Sequence, residues 1–159
     1  MIVARAVADD LDAIESLERE GFDHARWSRA AWRSELEGAD RYVLVVRSPE
    51  GVVGVATFQT VADSADLHRV VVRTDHRGQG IARRLITAGM EWAEAMGAER
   101  MLLEVEWDNA AALRLYDRFG FVPLARREDY YGAGRHAVVM SHPLGRAAAI
   151  AAGQGKMES

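Results

Sequence analysis

An α/β (α+β) fold, a mixed and largely antiparallel sheet with helices on both faces, is what this sequence predicts. Three observations lead there. Strand-like and helix-like stretches alternate in the order β-α-α-β-β-β-α-β-α-β-β between residues 2 and 141. Glycines at 21, 38, 97 and 120 stand where the helical patterns stop, as C-terminal glycines do. At the centre, the apolar run Val70, Val71, Val72 passes through a polar turn into Arg77-Gly78-Gln79-Gly80-Ile81-Ala82, where a helical pattern begins.

Each element has a local cause. Residues 2–7 alternate as a first strand, and Asp9 or Asp10 can cap a helix with Leu11, Ile14 and Leu17 on one face. Ser28 is an N-cap for a second, short helix bearing Trp32 and Leu36. Residues 42–47 and 52–59 are strands, and Ser48-Pro49-Glu50-Gly51 between them is hairpin chemistry. Residues 67–73 form the central strand. Over 81–96, Ile81, Leu85, Ile86, Trp92, Ala93 and Met96 recur at helical spacing. Residues 100–106 form the next strand, and Asp108 or Asn109 caps a helix over 110–118. Strands at 121–127 and 136–141 complete a single domain over residues 1–144, and the alanine- and glycine-rich 145–159 reads as a flexible tail.

Composition narrows the function. Hydrophobic residues make up 49% and charged residues 28% of the 159, ordinary values for a soluble domain. A net charge of −4 gives no global basic field, so direct nucleic-acid binding is not expected; Arg83-Arg84 and Arg126-Arg127 are local basic pairs only. The absence of cysteine removes disulfides, thiolate metal sites and cysteine nucleophiles together. No apolar run approaches ~18 residues and the N-terminus carries no signal pattern, so a cytoplasmic protein without a membrane partner is expected. No His/Asp/Glu group shows metal-ligand spacing, so no metal is expected. His24 and His68 read as surface or hydrogen-bonded residues, and His76 as exposed in its loop.

Two glycines at a strand-to-helix junction let backbone N–H groups converge on an anion at the positive end of a helix. A phosphate or pyrophosphate is the natural anion, although a turn can need the same glycines for its own geometry. The dinucleotide fingerprint fails, because Arg83 stands where its third glycine would be, and the ending of a P-loop is missing. The pattern R-x-x-G-x-A over Arg77, Gly80 and Ala82 closely resembles the pyrophosphate loop of the GNAT acetyltransferases. That resemblance implies the GNAT fold and acetyl-CoA as co-substrate. It places the cofactor-binding loop at Arg77, Gly78, Gln79, Gly80, Ile81, Ala82 and Arg83, and the pantetheine arm along Val70, Val71 and Val72.

Acetyl transfer from a thioester to an amine needs a base for the amine proton, a stabilised carbonyl oxygen and a proton donor for the leaving thiolate. Glu104 and Glu106 lie two apart on a strand and so share one face. They are either a solvated strand face or the place of a base, Glu104. Tyr116 on the following helix is either a core aromatic or the thiolate's proton donor. Asn109 is most simply a helix cap, to which the resemblance adds a contact with the CoA arm. Trp27 and Trp32 read first as core, and Tyr130 and Tyr131 either pack on a sheet edge or wall a peptide groove.

The run L-E-V-x-x-x-N-x-x-A-x-x-L-Y-x-x-x-G-F over residues 103–121, with Trp27-Ser28 and R-R-x-x-Y-Y over 126–131, is similar to one GNAT branch. That branch is the RimI type, which acetylates the N-terminal alanine of a small-subunit ribosomal protein. The resemblance implies Glu104 as base and Tyr116 as acid; Trp27, Glu106, Tyr130 and Tyr131 are candidate acceptor contacts read from the residues themselves. The resemblance departs at Glu106, where the branch often has arginine, at Arg26, where it commonly has proline, and at the polar pair His68-Arg69. The expected activity is direct acetyl transfer to the α-amine of a protein N-terminus, by a monomer or weak dimer. A GNAT acting on a lysine or small-molecule amine, or a non-catalytic CoA-binding module, are the rival readings.

Overall fold

The computed structural model describes residues 1–23, 25–145 and 147–150. Its elements are β1 (Ile2–Arg5), α1 (Leu11–Gly21), α2 (Arg29–Glu37), β2 (Arg41–Ser48), β3 (Gly51–Val61), β4 (Ser64–Val72), α3 (Ile81–Ala95), β5 (Arg100–Glu106), α4 (Ala110–Phe119), β6 (Val122–Arg127) and β7 (Ala137–Pro143). Their order is the expected one. Contacts divide the chain into two compact units: Met1–Thr60 with Leu67–Trp92, and Val61–Asp66 with the chain from Ala93 onward.

In the first unit β1, β2 and β3 pair antiparallel in sequence order, with Val3 opposite Val46 and Val45 opposite Val55. The run Val43, Leu44, Val45, Val46 is buried throughout, because both faces of β2 are covered. Val43 and Val45 join Leu11, Ile14 and Leu17 of α1, Trp32 of α2, Val55 and Val71 in one cluster. The opposite face belongs to α3. Gly54 lies so close to it that a Cβ there would stand 2.7 Å from Ile81 Cγ2, and a Cβ on Gly89 would stand 2.0 Å from the Phe58 ring. Small residues on both sides let helix and strand approach this closely. Tyr42 then stacks on Trp92, with centroids 4.7 Å apart.

Two expectations need correction here. Neither Asp9 nor Asp10 caps α1: the Asp10 carboxylate accepts the Val7 N–H at 2.8 Å and both Arg47 Nη atoms at 2.7 and 2.8 Å. A turn of 3₁₀ helix over Ala8–Asp10 precedes α1, so Asp10 closes that turn instead. Met96 continues the helical spacing but lies beyond the last turn of α3 and is exposed, so it adds nothing to the core.

In the second unit β7 lies between β5 and β6, antiparallel to both, with Glu104 opposite Val139 and Arg127 opposite Ala137. Met101, Leu103 and Val105 are buried on one face of β5, which turns Leu102, Glu104 and Glu106 to the other. Asn109 caps α4, its Oδ1 accepting the Ala112 N–H at 3.2 Å. Gly120 ends α4 at φ +93°, the left-handed conformation that favours glycine, and a Cβ there would press on the His142 ring at 3.2 Å. Gly145 and residues 147–150 are helical. The rest of the expected tail, 151–159, lies outside the described residues, as does His24.

Candidate active site

The first unit carries the glycine loop. Gly78 and Gly80 both have φ +78°, a conformation L side chains avoid, and α3 starts at the next residue. Nothing lies within 4 Å of where a Cβ would stand on either glycine, so the backbone faces open space. Arg84 N–H donates to the Gly80 carbonyl at 3.1 Å, so Gly80 opens this 15-residue helix and its positive dipole end lies at the glycine loop. That is the chemistry a pyrophosphate needs.

A charge network steadies this loop from below. Arg73 binds Asp75 at 2.9 Å and Glu50 at 3.5 Å, and His76 reaches the same two carboxylates at 2.7 and 3.3 Å. His76 is therefore buried rather than exposed as expected, because the hairpin turn folds Glu50 onto it. Glu50, Asp75 and His76 bring ligand atoms within 4.8 Å of one another, a cluster their sequence spacing does not show. The Arg73 guanidinium already sits on both carboxylates and supplies the positive charge. Glu20 adds a tether, accepting the Thr74 N–H at 3.0 Å.

Behind the central strand lie two carboxylates absent from the sequence-derived site. Glu18 is 1% exposed and accepts from Trp27 N at 3.0 Å, Trp32 Nε1 at 3.1 Å and Arg69 Nε at 3.1 Å. The Arg69 guanidinium also lies 3.7 Å from the Phe22 ring centroid. Glu35 accepts from Thr57 Oγ1 at 3.1 Å and Arg41 Nε at 2.6 Å, and lies 2.7 Å from His68 Nδ1. Burial pushes its pKa up, but His68 and then Arg41 outweigh it and hold the carboxyl below its ordinary value. The polar pair His68-Arg69 is thereby explained, each residue having a buried carboxylate on a helix. A signal existed: Glu18 falls four after Ile14 and seven after Leu11, on the apolar stripe of α1. Trp27 is half-buried against this core, beside a shallow pocket lined by Glu15, Glu18, Arg19, Arg26, Ser28 and Arg29.

The second unit carries the acid–base candidates. Glu104 accepts from Arg127 Nη1 at 2.6 Å. A hydrogen bond to Glu104, with that carboxylate's charge, also holds the Tyr130 phenol above its ordinary pKa, against the opposing pull of Arg127. Arg127 lies 4.7 Å from the Tyr130 ring centroid, so Glu104, Arg127 and Tyr130 form one group. Glu106 accepts instead from Arg135 Nε at 2.6 Å. Tyr130 and Tyr131 meet edge to face at 5.0 Å. Tyr116 is buried on α4 with its ring edge-on to Phe121, centroids 5.9 Å apart. Arg135 was not singled out by its sequence, since its partner is 29 residues away.

Among the described residues no helix is long and apolar enough to cross a membrane. The model of the Acetyltransferase (GNAT) family matches residues 8–121. The [ribosomal protein bS18]-alanine N-acetyltransferase of Escherichia coli K12 is 32% identical over 140 residues, which cover 85% of this chain and 92% of that one. Its namesake from Haemophilus ducreyi is 31% identical over 119 residues, 72% of this chain and 81% of that one. The crystal structure of the Escherichia coli ribosomal-protein-S18-alanine N-acetyltransferase superposes with a TM-score of 0.82 at 26% identity, covering 90% and 93% of the two chains. With these matches and the expected order of elements, the chain belongs to the GNAT family as an acetyl-CoA-dependent N-acetyltransferase.

Proposed function

We propose that this enzyme acetylates the α-amine of a protein N-terminus in the cytoplasm, the acceptor being the N-terminal alanine of a small-subunit ribosomal protein. Near full-length similarity to the bS18-alanine N-acetyltransferases is the observation that carries this reading. In it, backbone N–H groups of Gly78, Gln79, Gly80, Ile81 and Ala82 hold the pyrophosphate of acetyl-CoA, with Arg77 and Arg83 flanking them. The open positive-φ glycines fit that group. Val70, Val71 and Val72 bond the pantetheine arm, and a backbone N–H of that strand polarises the thioester carbonyl. Asn109 is engaged as a cap through Oδ1, and its contact with CoA is an added role.

The amine nitrogen attacks the thioester carbon directly. As the C–N bond forms, Glu104 takes a proton from that nitrogen, itself or through a water. As the C–S bond breaks, the Tyr116 hydroxyl gives a proton to the thiolate. An α-amine has an unperturbed pKa of about 7.7–8.0, so a carboxylate base is adequate, whereas a lysine at about 10.4 would need more help. No cysteine is present to form an acetyl-enzyme.

The test is CoA release with peptides beginning in alanine, serine, glycine or methionine, each with free or blocked α-amine, and an internal-lysine peptide. Turnover confined to free alanine-first peptides is expected. Turnover of the blocked lysine peptide would move the acceptor to a side chain. Tyr116→Phe should lower turnover by about tenfold or more with acetyl-CoA affinity unchanged; full activity would remove the acid role.

A further inference from the structure

Glu106 of β5 is held by an arginine from the segment between β6 and β7. Arg135 donates to it from Nε, and from Nη1 to the Tyr131 carbonyl at 3.1 Å, while the Tyr131 N–H returns a bond to the Arg135 carbonyl at 3.0 Å. The segment between β6 and β7 is otherwise closed largely upon itself: Asp129 N–H donates to His136 Nδ1 at 3.0 Å, and Gly134 N–H to Asp129 Oδ1 at 2.7 Å. Beyond the strand ladder, it is held to β5 at two places. At its start Arg127 binds Glu104 and lies over the Tyr130 ring; at its end Arg135 meets Glu106, and Trp107, the residue after β5, donates from Nε1 to the Gly134 carbonyl at 3.3 Å and from its backbone N–H to the His136 carbonyl at 3.0 Å.

The two anchors differ. The Arg127–Glu104 side chains are 53% and 31% exposed, the Arg135–Glu106 side chains 37% and 22%. The less exposed pair is less screened by solvent. Its arginine also binds the loop's own backbone, so Glu106 is coupled to the path of the chain at Tyr131. An arginine at position 106 would face Arg135 with like charge and push this end of the loop away.

We propose that Glu106 and Arg135 are positioning residues for the acceptor. Their ion pair clamps the 128–136 loop to β5 and thereby fixes Tyr130 and Tyr131, so that Glu106 acts through Arg135 and not on the acceptor itself. The proposal rests on the reading of Tyr130 and Tyr131 as acceptor contacts.

Glu106→Arg and Arg135→Glu, singly and together, test it, with Glu106→Gln as a milder variant should a reversal fail to fold. Amide exchange over 129–136 is measured without substrates, then KM for an alanine-first peptide, KM for acetyl-CoA and kcat. Single changes should speed exchange in the loop and raise peptide KM about fivefold to tenfold, with acetyl-CoA KM and kcat unchanged. The double reversal should restore both. Unaltered exchange, a loss confined to kcat, or no recovery in the double variant would overturn the clamp. Failure of the wild-type chain to turn over any α-amine peptide would instead overturn the acceptor reading, and exchange with its recovery would still judge the clamp.

Discussion

Carboxylates paired with arginines occur in both units of this protein, and they are built differently. In the first unit Glu18 and Glu35 are almost wholly buried, and each satisfies several donors at once. In the second, Glu104 and Glu106 lie on the open face of β5, each with an arginine that is itself partly in solvent. A buried ion cannot lose a partner without leaving a charge in a poor dielectric. A partly hydrated one can exchange its partner at small cost. The first kind holds a framework, and the second can take part in proton transfer or adjust a loop.

That contrast can be broken by substitution. Glu104→Gln should cut kcat by about 10²–10⁴-fold while leaving the thermal midpoint nearly unchanged; a stability loss with intact turnover would reverse the assignment. Glu18→Ala should do the opposite, destabilising the fold by about 3–5 kcal/mol because Arg69 stays largely buried without its counter-ion. Denaturant titration measures it, and a change under 1 kcal/mol would place the pair among the weak surface ones. Gly89→Ala probes the same unit without charge. Its Cβ would collide with the Phe58 ring, and a loss of about 1–3 kcal/mol is expected from the displaced packing.

Acid gives the smallest and most graded test. Arg47 first, and then the Val7 N–H, hold the Asp10 carboxyl below its ordinary pKa against burial; Glu35 is lowered as described. A depressed folded pKa contributes stability that is complete above the unfolded value, near 4, and is lost as pH falls through the folded value. The urea midpoint should therefore fall below about pH 4. Asp10→Asn and Glu35→Gln should each flatten that fall, and an unflattened profile in both would assign it to other groups.

The elements were legible because their signals are local. Ser28 and Asn109 cap the helices expected of them, Gly120 adopts the left-handed turn its place implies, and Gly78 and Gly80 take the positive φ that glycine permits. Asp10 misled because a carboxylate before a helix is ambiguous when an arginine 37 residues away binds it more strongly than the helix end does. His76 misled for a similar reason, its burial coming from a hairpin turn 26 residues earlier.

Order of elements, the left-handed turns at Gly97 and Gly120, the caps at Ser28 and Asn109 and the shared face of Glu104 and Glu106 were decided by the sequence alone, since each depends on backbone preference and on spacing within a few residues. Pairing was decided only by the tertiary structure. Whether Glu18 meets Arg69, Glu35 meets His68, or Glu106 meets Arg135 depends on which strands and helices are brought together across 51, 33 and 29 residues. Burial then sets how strongly each pair binds, because the same two charges attract weakly in water and strongly out of it.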